Sequence, residues 1–167
     1  MWLMTSRTPA SKPNRPRDPK APPKPERPRD ELGRPLARDA ENRLEMEDYD
    51  ALSVEQNHRL GVEHFNAGRF FPAHEAWETC WKQMKGTDEA EFFKGLSQLG
   101  AGYVHLGRGN PHGAMTLMRR GAGRIARYGE EHRGVRALEL AEIAGAHAAR
   151  IESATAADPK AIEAPRI

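Results

Sequence analysis

The sequence is dominated by stretches in which apolar residues recur at intervals of three and four positions. This spacing places them on one face of an α-helix, and no stretch shows the strict alternation of apolar and polar residues that predicts a β-strand. We predict five helices, over about residues 53–67, 71–85, 87–106, 110–128 and 135–150. Because connections this short make neighbouring helices antiparallel, the predicted fold is all-α, a compact up-and-down bundle of four to five helices.

Local start signals support four of these helices. Ser53 and Gln56 have the spacing of a capping box. Pro72 occupies the favoured first turn of the second helix, and Thr87 is the predicted cap of the third. Asn110, followed directly by a proline, is the predicted cap of the fourth.

The composition divides the chain into unlike regions. Residues 1–38 hold nine of the 13 prolines and ten Lys or Arg against four Asp or Glu, a net charge of +6. A segment with so few apolar side chains cannot offset the entropy of ordering. We therefore predict a disordered basic Pro-rich tail and an acidic lead-in over residues 1–48, with a loosely held helix over 39–51. The helical bundle domain is predicted over 50–152, and a C-terminal tail over 153–167.

The basic tail has two interpretations. It is either a weak electrostatic arm for nucleic acid or an acidic partner, or a solvated extension, including one produced by a misassigned start with Met46 as the true beginning. No aromatic residues lie between the basic ones to stack on bases, which favours the second interpretation and argues against nucleic acid.

The lengths of the apolar runs and the number of cysteines indicate where in the cell the protein acts. No run approaches the ~20 apolar residues of a membrane span, and the short apolar start is too brief for a secretory signal. The single cysteine, Cys80, excludes an internal disulfide and a multi-thiolate zinc site. We predict a cytoplasmic protein with no membrane partner.

Two polar residues of the second helix fall on its most apolar stripe. At 100° per residue, His74 and Glu78 lie between the direction of Trp81 on one side and that of Phe71 on the other, within a stripe that also holds Phe70 and Trp77. A buried polar group without a partner costs about 1–3 kcal/mol, so both side chains require partners. Either each finds a partner across the bundle, or they line a cavity that admits water, a metal or a ligand.

The residues around this stripe resemble a known family. The motifs that carry the resemblance are FNxGxFFxAHExxExxW from Phe65 to Trp81, GLxQLxAxxxH from Gly95 to His105, and GNxxGA from Gly109 to Ala114. They are similar to those of the bacterial domain of unknown function family number 309, over about residues 60–128. The resemblance implies a small all-α bundle and no settled activity. The chain departs from the family pattern at Pro72, where an acidic residue is usual, and at Trp77, where an aliphatic one is usual.

One hypothesis is a metal site. His74 with Glu75 or Glu78, and His105 or His112 from the next hairpin, would supply histidine and carboxylate ligands between facing helices. A position left open to water would support metal-dependent hydrolysis. The set is incomplete, because the second histidine of a zinc protease helix and the carboxylates of a di-iron bundle are missing.

A second hypothesis is a binding module without chemistry. The polar residues of the second helix would orient a small ligand or a protein partner, and Trp77 and Trp81 would supply apolar contact. The helix start at Asn110 would offer free amides, with Lys94 and Arg108 as counter-charges.

A third hypothesis is structural: His74, Glu78, Gln98 and His105 form a buried hydrogen-bond network that specifies the packing of the second helix. We predict a small-ligand or protein binding and interaction module, with metal-dependent hydrolysis as the alternative. No catalytic residue and no cofactor is assigned. The predicted site residues, for a ligand or a polar network, are His74, Glu75, Glu78, Trp81, Lys94, Gln98, His105, Arg108 and Asn110, and the candidate metal ligands are His74, Glu78, His105 and His112.

Overall fold

Five α-helices account for most of the structure, a computed structural model that describes residues 26–153 and 162–167. Over these residues no β-strand forms, which confirms the predicted all-α class. Successive helices pack on one another in chain order. The helices are α1 (Val54–Asn66), α2 (Phe70–Gln83), α3 (Ala90–Gly107), α4 (Pro111–Ile125) and α5 (Ala137–Ser153), with 3₁₀ turns at Tyr49–Ala51 and Ala126–Tyr128.

The predicted caps are present at two helix starts. Ser53 accepts a hydrogen bond from the Gln56 backbone while the Gln56 side chain accepts from Ser53, so the capping box is complete. Asn110 accepts from the Gly113 backbone and caps α4. Thr87 was predicted to cap α3, but it stabilises the preceding turn instead, and α3 begins at Ala90.

The core is centred on α3, which packs against α2 on one side and α4 on the other. Phe92, Leu96 and Leu99 are fully buried, as their spacing predicts. Close helix packing is possible because glycine replaces a side chain at the contact: a Cβ at Gly121 of α4 would lie 2.8 Å from the backbone oxygen of Gly95 in α3.

The buried face of α2 differs from the predicted one. Ala73, Ala76, Trp77 and Cys80 are fully buried, whereas His74 and the residues one and two turns beyond it lie at the margin of this face. The prediction gave weight only to large side chains. Because α2 packs against both α1 and α3, its small alanines are buried together with Trp77 and Cys80.

The N-terminal segment, residues 26–52, packs on the bundle. Leu44 and Tyr49 are buried, and the Arg108 guanidinium of α3 donates to the Leu32 carbonyl. The predicted tail to residue 25 lies outside the described residues. From residue 26 on, the chain is packed earlier than predicted, and the lead-in helix is only the short Tyr49–Ala51 turn. Isolated apolar residues anchor a segment whose average composition is polar.

The C-terminal part of the chain also packs on the bundle. Helix α5 buries Leu140, Ala144 and Ala148 against α4. Residues 162–167 lie against the core, whereas 154–161 of the predicted C-terminal tail are outside the described residues. None of the described helices combines the length and the apolar character needed to cross a membrane.

Candidate metal and ligand site

His74, Glu75 and Glu78 form a cluster at the margin of α2. The Nε2 atom of His74 lies 3.5 Å from Oε1 of Glu75 and 3.9 Å from Oε2 of Glu78. Among the described residues this is the one group of three metal-ligating side chains whose donor atoms all lie within 4.8 Å of one another. The three side chains are 24%, 34% and 29% exposed, so the cluster is open to solvent on one side.

Ser97 of α3 orients the His74 ring. The Nδ1 atom lies 3.0 Å from the Ser97 carbonyl oxygen and 2.9 Å from its hydroxyl, and that hydroxyl donates to the His74 carbonyl at 3.3 Å. A carbonyl only accepts hydrogen bonds, so this network places the proton of the neutral ring on Nδ1. The lone pair of Nε2 then faces the two carboxylates.

This arrangement suits a cation. A nitrogen lone pair and two carboxylates at these distances can share a proton or a metal ion between them. Two atoms bound at about 2.0–2.2 Å to a tetrahedral ion stand about 3.3–3.6 Å apart, close to the observed 3.5 and 3.9 Å. A backbone carbonyl on the other ring nitrogen is the usual support for a metal-binding histidine.

Lysine side chains lie beside the Glu78 carboxylate and the Trp81 ring. Lys82 lies 3.4 Å from Glu78. Lys94 lies over the Trp81 ring at 4.9 Å, and Lys85 lies at 5.2 Å. These contacts place Lys94 on Trp81, beside the cluster and not as a free counter-charge within it.

The remaining predicted site residues do not join the cluster. The Gln98 side-chain oxygen is buried without a hydrogen bond, and Gln98 makes no bond to His74. The Nδ1 atom of His105 pairs with the Asn110 side chain at the α3–α4 turn, and Arg108 holds the N-terminal segment. The predicted four-residue polar network therefore does not form, because His74 bonds to Ser97 and His105 to Asn110, while the Gln98 oxygen has no partner.

The two further candidate metal ligands also lie outside the cluster. His112 is exposed in the first turn of α4. Burial and the nearby Arg108 charge lower the pKa of His105, whose Nδ1 atom pairs with the Asn110 side chain. The expected convergence of His105 or His112 with His74 is absent from the described structure.

The sequence analysis did not identify two features of the site. One is Ser97, since a single serine on a helix carries no signal of its contacts. The other is a groove of about 590 Å³ beside Glu75, between α2 and the N-terminal segment, lined by Phe71, Arg27, Arg29 and Leu44. The groove depends on docking of a segment that the composition assigns to a tail.

Another polar cluster, Glu47, Tyr49 and His64, joins the N-terminal segment to α1. The Nε2 atom of His64 lies 3.0 Å from Glu47 and 3.3 Å from the Tyr49 hydroxyl. Partial burial opposes ionisation of Glu47, but hydrogen bonds from Tyr49 and His64 outweigh it and lower the pKa of this carboxyl. The cluster holds the N-terminal segment in place.

Comparison with known proteins shows that the central helices are similar to one family. Neither the curated proteins nor the solved structures gave a match. Residues 58–117, which span most of α1, all of α2 and α3, and the start of α4, match the family described as "Domain of unknown function (DUF309)". The match confirms the resemblance inferred from the motifs over this segment of the chain.

Proposed function

We propose that this domain is a binding module whose site, His74, Glu75 and Glu78, takes a divalent transition-metal ion. The observation that carries the proposal is the Nε2 atom of His74 facing two carboxylates at 3.5 and 3.9 Å while Ser97 occupies Nδ1. One imidazole and two carboxylates suit zinc better than calcium or magnesium, which prefer oxygen ligands alone.

The exposure of the site supports binding of a further ligand. Three protein ligands leave at least one position of a tetrahedral ion open. The cluster is open to solvent and Glu75 borders the groove beside the N-terminal segment, so an oxygen ligand such as a carboxylate or phosphate can reach the ion. The groove has a mixed charge, since Arg27 and Arg29 line it together with Glu26 and Glu75.

The test is metal binding by the full chain. Protein purified without chelator is analysed for metal by elemental mass spectrometry, and Zn²⁺ is titrated by competition with a chromophoric chelator. We expect one ion per chain in the wild type. Because Glu75→Gln and Glu78→Gln keep the side-chain shape and remove the charge, each is expected to weaken affinity by at least about tenfold.

His112→Ala is the matched control, since this histidine is exposed and outside the cluster. Its affinity for Zn²⁺ is expected to equal that of the wild type. Wild-type protein that binds no Zn²⁺, or binds it equally in all variants, would refute the proposal. His74 would then serve only to bond α2 to Ser97, and His74→Ala would lower stability without affecting metal.

We also propose that the chain acts in the bacterial cytoplasm. The support is its one cysteine, Cys80, which is buried and unpaired, as suits a reducing compartment. Cell fractionation with detection of the tagged full chain tests this location, and recovery outside the cytoplasmic fraction would contradict it.

A further inference from the structure

The C-terminal segment, residues 162–167, is held by the side chain of Asn66, the last residue of α1. The Asn66 Nδ2 donates to the Ile167 backbone oxygen at 2.9 Å, and its Oδ1 accepts from the Ile167 backbone N–H at 2.9 Å. One side-chain amide thus pairs with both backbone groups of a single residue, as a neighbouring strand would. This contact recognises an extended backbone, whatever its side chains.

The surface beside Asn66 is an aromatic groove, formed by Phe65, Phe70, Tyr103 and Leu106. Phe70 stacks on Tyr103 with ring centres 5.1 Å apart, and Phe65 lies edge-on to Phe70 at 5.2 Å and to Tyr103 at 5.5 Å. Contacts of this kind fix the ring positions. The groove is therefore a preformed apolar surface.

The C-terminal segment covers this groove without filling it. Ile162 and Ala164, the first and third positions of the segment, line the groove, whereas Ile167, the sixth, packs on the core beside Val135 and Leu140. A cavity of about 510 Å³ remains between the segment and the aromatic groove, large enough for bigger side chains. The side chains of the C-terminal segment are thus too small to fill the aromatic groove, although Asn66 holds the backbone of the segment with good hydrogen-bond geometry.

We propose that the aromatic groove is a binding site for an extended peptide of a partner protein. The peptide has apolar side chains at the positions of Ile162, Ala164 and Ile167, and at least one of them is larger than its counterpart here. The C-terminal segment occupies the site within the same chain and competes with the partner. Because the C-terminal segment belongs to the same chain, its effective concentration at the groove is about millimolar. A partner peptide must therefore bind the groove more tightly than this segment in order to displace it.

The test uses the full chain with Ile162→Asp and Ile167→Asp, the released variant, in which apolar contacts of the segment are lost. Binding of a fluorescent peptide with the sequence of residues 161–167 is followed by anisotropy. We expect saturable binding to the released variant and at least tenfold weaker binding to the wild type. The matched control carries Glu163→Ala and Arg166→Ala, two exposed positions of the segment, and is expected to behave as the wild type.

Two further changes test the details of the site. Asn66→Ala in the released variant removes both backbone hydrogen bonds and is expected to weaken peptide binding by about tenfold. A peptide with Ala164→Phe is expected to bind the released variant more tightly, because the larger side chain enters the cavity.

Circular dichroism first establishes that the released variant keeps its helices. If the folded released variant shows no saturable binding of either peptide, or if Asn66→Ala leaves affinity unchanged, the proposal is wrong. The assay is run with chelator, so its outcome is independent of the proposed metal site at His74.

Discussion

The indole nitrogen of Trp77 donates a hydrogen bond to Nδ1 of His58 at 3.1 Å. Nε2 of His58 then carries the ring proton and donates it to the Arg133 carbonyl at 3.0 Å. These two bonds connect α1, α2 and the loop before α5 through a single neutral imidazole. Trp77 is fully buried, so its N–H would otherwise have no partner, and His58 is a structural residue.

Protonation of His58 is expected to destabilise the fold. Burial lowers the pKa of His58 below its usual value of about 6.5, so the folded chain takes up the proton less readily than the unfolded chain. Neutral His58 contributes its full stabilisation above about pH 6.5. This stabilisation is lost as the pH falls from there toward the pKa that His58 has in the folded chain.

Urea unfolding between pH 7.5 and 5.0 checks this expectation. As the pH is lowered, the free energy of unfolding should fall less steeply in His58→Asn than in the wild type. The difference between the two slopes should correspond to the uptake of up to one proton on unfolding. The exposed His112→Asn should retain the wild-type slope. An NMR titration midpoint for His58 at or above 6.5 would contradict the prediction.

Two glycines of α4, two residues apart, are expected to respond in opposite ways to alanine. A Cβ at Gly121 would lie 2.8 Å from the Gly95 oxygen and 3.2 Å from the Leu99 nitrogen, both backbone atoms of α3, so Gly121→Ala should cost about 1–3 kcal/mol. A Cβ at Gly123 meets nothing within 4 Å, so Gly123→Ala should stabilise by about 0.5–1 kcal/mol. Denaturant unfolding measures both, and equal signs would show that the α3–α4 contact is looser than described.

Cys80 is expected to be unreactive in the folded chain. Burial raises the pKa of its thiol to about 12, and the sulfur contacts the Val54 carbonyl at 3.5 Å. The thiolate fraction at pH 8 is then ~1000-fold below that of a free cysteine. Ellman's reagent should label the native protein far more slowly than the urea-unfolded chain. A native rate within tenfold of the unfolded rate would mean that α1 and α2 separate readily.

The N-terminal segment is expected to stabilise the bundle. A chain that begins at Met46 lacks Leu44, which is 8% exposed, and the Leu32 contact with Arg108. Loss of one buried leucine alone costs about 1.5–3 kcal/mol in the free energy of unfolding. A chain that begins at Glu26 keeps every described contact and is the matched control. Equal stability of the two chains would show that the folding unit is the predicted 50–152.

The sequence by itself determined the helices and the start signals of α1 and α4. Ser53 with Gln56, and Asn110 with its following proline, act within one turn of the chain, so local pattern is sufficient to locate them. The stripe Phe92, Leu96 and Leu99 of α3 was also predictable, because a helix buried between two neighbours shows its core face in its own spacing.

Only the tertiary structure decided how the predicted polar residues combine. Ser97 reaches His74 across 23 positions, and Asn66 reaches Ile167 across 101, so neither pair leaves a local signal. The buried face of α2 includes Ala73 and Ala76, whose burial between neighbouring helices their small size does not signal. Periodicity reports the average direction of burial along one helix, whereas hydrogen bonding and side-chain packing depend on which surfaces long-range contacts bring together.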